Sequence, residues 1–136
     1  MLYQVENWHT VRDKVRKNIG INVLKMRFGV DEFYIPGIKM IELPNFEDLS
    51  DEELYDKLRK LKDMSGMLFV ITHICYKDGF GPFVLKADKL SGLVKNYANI
   101  FSENFFDTNA IIISMSEKTV WMFHHSGYLG LFDYNK

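Results

Sequence analysis

The sequence predicts one α+β domain over residues 1–136, with about three helices packed on a mostly antiparallel sheet. Three observations carry this expectation. The runs Ala110–Met115 and Thr119–His124 are rich in Ile, Val, Trp and Phe, and a short polar connection around Ser116, Glu117 and Lys118 joins them at β-hairpin spacing. Ser50 followed by Glu53 forms a capping box ahead of an apolar stripe. Two further segments, around Val11 and around Val94, carry apolar residues at helical intervals.

Taken in order, Trp8, Val11, Val15 and Ile19 mark the inner face of a first helix. Arg12, Lys14, Arg16 and Lys17 line its outer side, and Gly20 ends it. Ile21–Phe28 alternates well enough for a strand. Glu32–Ile35 and Ile38–Leu43, split by the turn dipeptide Pro36-Gly37, suggest short strands or a hairpin. The second helix starts at the Ser50 box, with Leu49 and Leu54 placed as a hydrophobic staple. Asp51, Glu52 and Glu53 suit its N-terminal dipole. Leu54, Leu58 and Leu61 form its buried stripe, and Gly66 is expected to close it.

Met67–Tyr76 is a nearly continuous apolar run and reads as a central strand covered on both faces. Asp78–Pro82 reads as a loop, and Phe83–Leu85 as a short edge pairing. Leu90, Leu93, Val94, Tyr97, Ala98 and Phe101 define the third helix, with Asp88 as its expected cap. Gly92 inside that helix costs about 1 kcal/mol against alanine, which points to tight packing there. The hairpin and a last run, Tyr128–Phe132 after the Gly127 turn signal, complete the sheet. Internal repeats, low-complexity tracts and linkers are absent from the sequence.

Composition narrows the function classes. Apolar residues make up 47% of the chain, too many for a disordered segment, and a net charge of −1 argues against a general nucleic-acid binder. The single cysteine, Cys75, excludes an internal disulfide and fits a reducing compartment. The N-terminal residues do not read as a signal peptide, and no apolar run is long enough to span a membrane. A cytoplasmic domain is therefore expected. The charge is unevenly spread: residues 1–30 hold six basic and two acidic side chains, whereas residues 31–63 hold ten acidic and five basic ones.

Catalytic and metal-binding motifs are absent from the sequence or incomplete in it. Gly79-Phe80-Gly81 lacks the further glycine of a phosphate loop and runs into Pro82; no nucleophile elbow or HExxH sequence occurs. Cys75 sits in an apolar run, where a thiol is more often inert packing than a nucleophile. His73 and Cys75, two apart on a strand, would share a face as two zinc ligands do, but no partner motif supplies the others. His124-His125, on a strand, would point to opposite faces and could not share one ion. One histidine inside and one at the surface is the plainer reading of that pair. No metal, no cofactor and no catalytic residue are expected, and the chain is not read as an enzyme.

The acidic segment Glu47, Asp48, Asp51, Glu52, Glu53 and Asp56 has two readings. It can be a solvated helix face steadied by Glu53–Lys57 and Asp56–Lys60 pairs, or a negative patch offered to a basic partner. Seven tyrosines, eleven phenylalanines and two tryptophans exceed what a small core requires, so some are expected at the surface as interface anchors.

The C-terminal pattern, a strand IIIS, a short polar turn and then VWMFHHSGYLG, resembles the ends of small immunity proteins of bacterial contact-dependent growth inhibition and related polymorphic-toxin systems. The helix Leu90–Phe101 fits the same layout, and the resemblance covers roughly the last 50 residues. Ser126 stands where the family pattern often has an acidic residue. The resemblance implies a protein that binds and neutralises a cognate toxin domain, commonly a nuclease, in the cytoplasm of the producing cell. On that reading Glu47, Asp48, Asp51, Glu52 and Asp56 are the candidate partner-binding residues, the partner is the toxin's C-terminal domain, and neither nucleic acid nor membrane is bound. The alternatives are a small hydrolase-like enzyme with a site around His124 and His125, and a self-associating subunit of a larger assembly.

Overall fold

A computed structural model describes residues 3–20 and 39–134. Strands β1 (Gln4–Val5), β2 (Lys39–Glu42), β3 (Met67–Ile71), β4 (Phe83–Lys86), β5 (Ala110–Ser114), β6 (Thr119–His124) and β7 (Tyr128–Asp133) form one sheet in the order β1-β4-β3-β5-β6-β7-β2. Every neighbouring pair is antiparallel. Three α-helices accompany them among the described residues: α1 (Trp8–Asn18), α2 (Asp51–Leu61) and α3 (Ala87–Phe101). The expected α+β class, antiparallel sheet and C-terminal hairpin are all present. The expectations for Ile21–Phe28, Glu32–Ile35 and Pro36-Gly37 fall outside the described residues.

Both faces of the central strands are buried. Val70, Phe83, Ile112, Trp121 and Phe123 share one face by register. That face meets α2 and α3: the Trp121 indole donates to the Lys62 carbonyl at 3.1 Å, and Phe83 packs edge-on against Tyr97. Phe69, Ile71, Ile111, Ile113, Val120 and Met122 fill the other face and are likewise buried. From α1, Trp8, Val11, Val15 and Ile19 join the same core, and the Trp8 indole donates to the Cys75 carbonyl at 3.1 Å. The side-chain oxygen of Asn7 caps α1, accepting from the amides of His9 and Thr10.

Many of the described aromatics supply the core. Phe83, Tyr97, Phe101, Phe105, Phe106 and Phe123 form a chain of ring contacts with centroids 4.8–6.3 Å apart. Among the described residues, Tyr128 is the aromatic that stands out as exposed. The expectation of surface rings holds for Tyr128, and Tyr3, Phe46, Tyr76, Phe80, Phe132 and Tyr134 are partly exposed at the margin of the core.

Four local expectations change. α2 ends at Leu61, not at Gly66, because Lys62 turns extended, gives its carbonyl to Trp121 and sends its ammonium to Thr119 (2.8 Å) and Asp133 (3.1 Å). Gly66, with φ +75°, instead turns the chain into β3. The run Met67–Tyr76 is a strand only as far as Ile71, since its neighbour β4 begins at Phe83, opposite Val70, and β5 begins only one residue past the Ile71–Ile111 pair. From His73 to Gly79 the chain forms 3-10 turns, tied down by the Cys75 amide to the Thr72 carbonyl and by a 2.8 Å hydroxyl contact between Thr72 and Tyr97. Phe83–Lys86 is not an edge, because β1 pairs outside it. Lys86, not Asp88, occupies the N-cap position of α3, so strand β4 runs directly into the helix.

Among the described residues no helix is long and apolar enough to cross a membrane.

Candidate functional site

Strands β2, β3 and β6 end, and β4, β5 and β7 begin, at the same end of the sheet. α2 starts there, and α3, about 22 Å long, returns to it from the opposite end. His73, His124, His125 and most of the acidic segment therefore collect at this end, although they come from distant stretches of the sequence.

The acidic turn is fixed first. After β2 the chain passes through Asn45, in the left-handed region at φ 59°, into a 3-10 turn over Phe46–Asp48. Phe46 lies directly over Gly127, where any Cβ would collide with its ring, and contacts Phe123 at 6.1 Å between centroids. The Leu43 amide donates to the Gly127 carbonyl at 2.8 Å. These contacts set Glu47 and Asp48, both exposed, beside the β6–β7 turn. The Ser50 capping box then opens α2: the Glu53 amide donates to the Ser50 hydroxyl at 3.2 Å, and the Ser50 amide to the Glu53 carboxylate at 3.0 Å.

The five carboxylates expected to meet a partner have different surroundings. Glu47, Asp48 and Glu52 are exposed. Asp51 is half-buried and accepts the amide protons of Phe105 (2.7 Å) and Phe106 (3.3 Å) on its two oxygens. Asp56 pairs with Arg59 at 2.6 Å, an i,i+3 contact in place of the expected pairing with Lys60. Arg59 also lies over the Tyr55 ring, 5.0 Å from its centroid, in a cleft of about 220 Å³ between α2 and α3 that Gly92 helps line.

By holding Phe105 and Phe106, Asp51 brings the segment after α3 against the acidic turn. That segment contributes Glu103 and Asp107, which meet His73. His73 Nδ1 is 3.1 Å from Glu103 Oε2 and 3.8 Å from Asp107 Oδ2, and Lys77 Nζ is 3.0 Å from the other oxygen, Glu103 Oε1. Among the described residues, the donor atoms of His73, Glu103 and Asp107 lie within 4.8 Å of one another, close enough to address one cation. Sequence reasoning missed this group. His73 precedes Glu103 by 30 positions and Asp107 by 34, and the two carboxylates alone, four apart, form no ligand motif.

The expected pairing of His73 with Cys75 does not form. Once the chain leaves β3 the two residues no longer share a strand face: His73 turns to the carboxylates, whereas the Cys75 thiol donates toward the Val70 carbonyl inside the core. Burial pushes the thiol up to about 11, against its ordinary 9.0, so it stays protonated and unreactive at neutral pH.

His124 and His125 do not point to opposite faces, because β6 ends at His124 and His125 already lies in the turn. Their rings sit 4.4 Å apart at an interplanar angle of 33°. Asn109 Oδ1 accepts both the backbone amide of His125 (2.8 Å) and its ring Nδ1–H (3.0 Å), so His125 is held by an amide rather than a carboxylate. His124 Nδ1 accepts from the Ser126 amide at 3.1 Å, which leaves the proton of the neutral ring on Nε2.

This end of the molecule thus presents Glu47, Asp48, Glu52 and Asp107 to solvent, with Tyr128 beside Glu42 across the β2–β7 pair. In comparisons with family models, with curated proteins and with solved structures, none matches this chain.

Proposed function

We propose that this chain is a protein-binding module of the immunity type, which neutralises a cognate toxin domain, a nuclease in the form the resemblance suggests, inside the producing cell. One observation carries the reading: the Asp51 carboxylate draws residues 103–107 against the acidic turn, so carboxylates from two distant stretches form one negative end on a rigid scaffold. A nuclease binds phosphate with a basic surface, and fixed carboxylates at such a surface occupy the positions of phosphates. Tyr128, exposed at the same end, supplies an aromatic anchor of the kind that concentrates binding energy.

Glu47, Asp48 and Glu52 are the contact residues in this account. Asp51 is engaged by the Phe105 and Phe106 amides, and Asp56 is partly neutralised by Arg59. The test has two steps: whether a large secreted protein with a compact C-terminal domain is encoded beside this chain's gene, and whether the purified chain binds that domain. A one-to-one complex is expected, with an association rate that falls as salt rises. The triple reversal Glu47→Lys, Asp48→Lys, Glu52→Lys should slow association at least tenfold at low salt. No complex, or equal rates for the reversed and natural chains, would remove the acidic end from the account.

A further inference from the structure

We propose that His73, Glu103 and Asp107 form a binding site for a divalent first-row transition ion. The inference does not depend on the toxin-binding reading. One imidazole and two carboxylates form a mixed N,O donor set, which suits zinc, manganese or ferrous iron better than it suits magnesium or calcium. Donors that share an ion at about 2.1 Å sit about 3.0–3.4 Å from one another. The 3.1 Å separation of His73 Nδ1 and Glu103 Oε2 already meets that requirement. The 3.8 Å separation to Asp107 Oδ2 needs a small approach, and the Asp107 side chain, 44% exposed, has room to make it.

The segments that carry the donors are anchored independently of any ion. His73 begins the 3-10 turns held by Thr72, Tyr97 and Cys75. Glu103 follows Ser102, whose left-handed backbone (φ 60°) ends α3, and Asp107 follows the two phenylalanines clamped by Asp51. The C-terminal carbonyls of α3 add negative potential where the cation would sit. Lys77 engages Glu103 through Oε1 only, which fixes the carboxylate while Oε2 faces His73 and Asp107. His73 and Asp107 are each more than a third exposed, so the remaining coordination positions open to solvent.

The experiment uses the full chain, stripped with chelator and titrated calorimetrically with Zn2+ and with Mn2+, and with Mg2+ for comparison. One ion per chain is expected, with binding weakened at least tenfold by Asp107→Asn and by His73→Ala. The double variant His124→Ala, His125→Ala should leave binding unchanged, and imidazole resonances of His73 should move first on addition of Zn2+. Asp107→Asn keeps the shape of an exposed side chain, so circular dichroism of that variant separates lost ligation from lost folding. The proposal is overturned if neither ion binds at millimolar concentration, if binding survives both single substitutions, or if it vanishes only in the His124/His125 variant. Equal affinity for Mg2+ would remove the imidazole from the ligand set and overturn it as well.

Discussion

The carboxylate of Asp51 accepts the backbone N–H of Phe105 at 2.7 Å across 54 positions of sequence. Its second oxygen takes the Phe106 amide. Phe105 and Phe106 are both buried, so their amides depend on this one side chain for a partner. A residue that the sequence offers as surface charge is therefore a joint between α2 and the segment leading into β5.

Replacing Asp51 by alanine should lower stability by about 2 kcal/mol, the usual cost of stranding buried donors of a charge-assisted bond. Asp51→Asn retains one acceptor and should lose about half as much. Urea denaturation measures both, and faster hydrogen exchange at the Phe105 and Phe106 amides should accompany the loss. Exchange rates equal to those of the natural chain would show that the joint is not energetically significant.

Ser50→Ala removes the acceptor for the Glu53 amide and should cost about 1 kcal/mol. Combined with Glu53→Ala, which removes the reciprocal bond at 3.0 Å, the loss should be less than additive, because the two halves of the box support the same first turn. A strictly additive pair in thermal melts would contradict the reciprocal geometry.

Gly127 has φ +93°, and a Cβ there would collide with the Phe46 ring. Gly127→Ala should cost about 1–3 kcal/mol. In a Phe46→Leu background the collision is relieved and only the backbone part should remain, at about 1 kcal/mol. A penalty of the same size in both backgrounds would place the strain elsewhere than at this contact.

Cys75 should resist thiol reagents in the native protein and react only on unfolding. Its proton is held more tightly when folded, with a value of about 11 against 9.0 for a free thiol. The folded state therefore binds more protons than the unfolded state between those values. The stabilisation is complete below pH 9 and is lost as pH rises toward 11. Burial also raises Tyr97, which adds to the alkaline loss. The Cys75 contribution is on the order of 1–3 kcal/mol, and a Cys75→Ala chain should show a shallower decline across that range. Identical pH profiles for the two chains would exclude the thiol as a cause.

By itself the sequence determined the elements whose signals are local. The Ser50–Glu53 box, the helical stripes of Trp8–Ile19 and Leu90–Phe101, and the Ala110–His124 hairpin all depend on contacts within a few residues or on the period of burial. The charge imbalance of residues 31–63 was legible for the same reason. Where elements end was not legible at Leu61 or Ile71, because those ends are set by distant partners: the Trp121 indole for one, and the starts of β4 and β5 for the other. Only the tertiary structure brought His73 to Glu103 and Asp107 and turned Asp51 inward. Side chains 30 to 54 positions apart meet through the antiparallel sheet and the return of α3, and no spacing along the chain encodes that meeting.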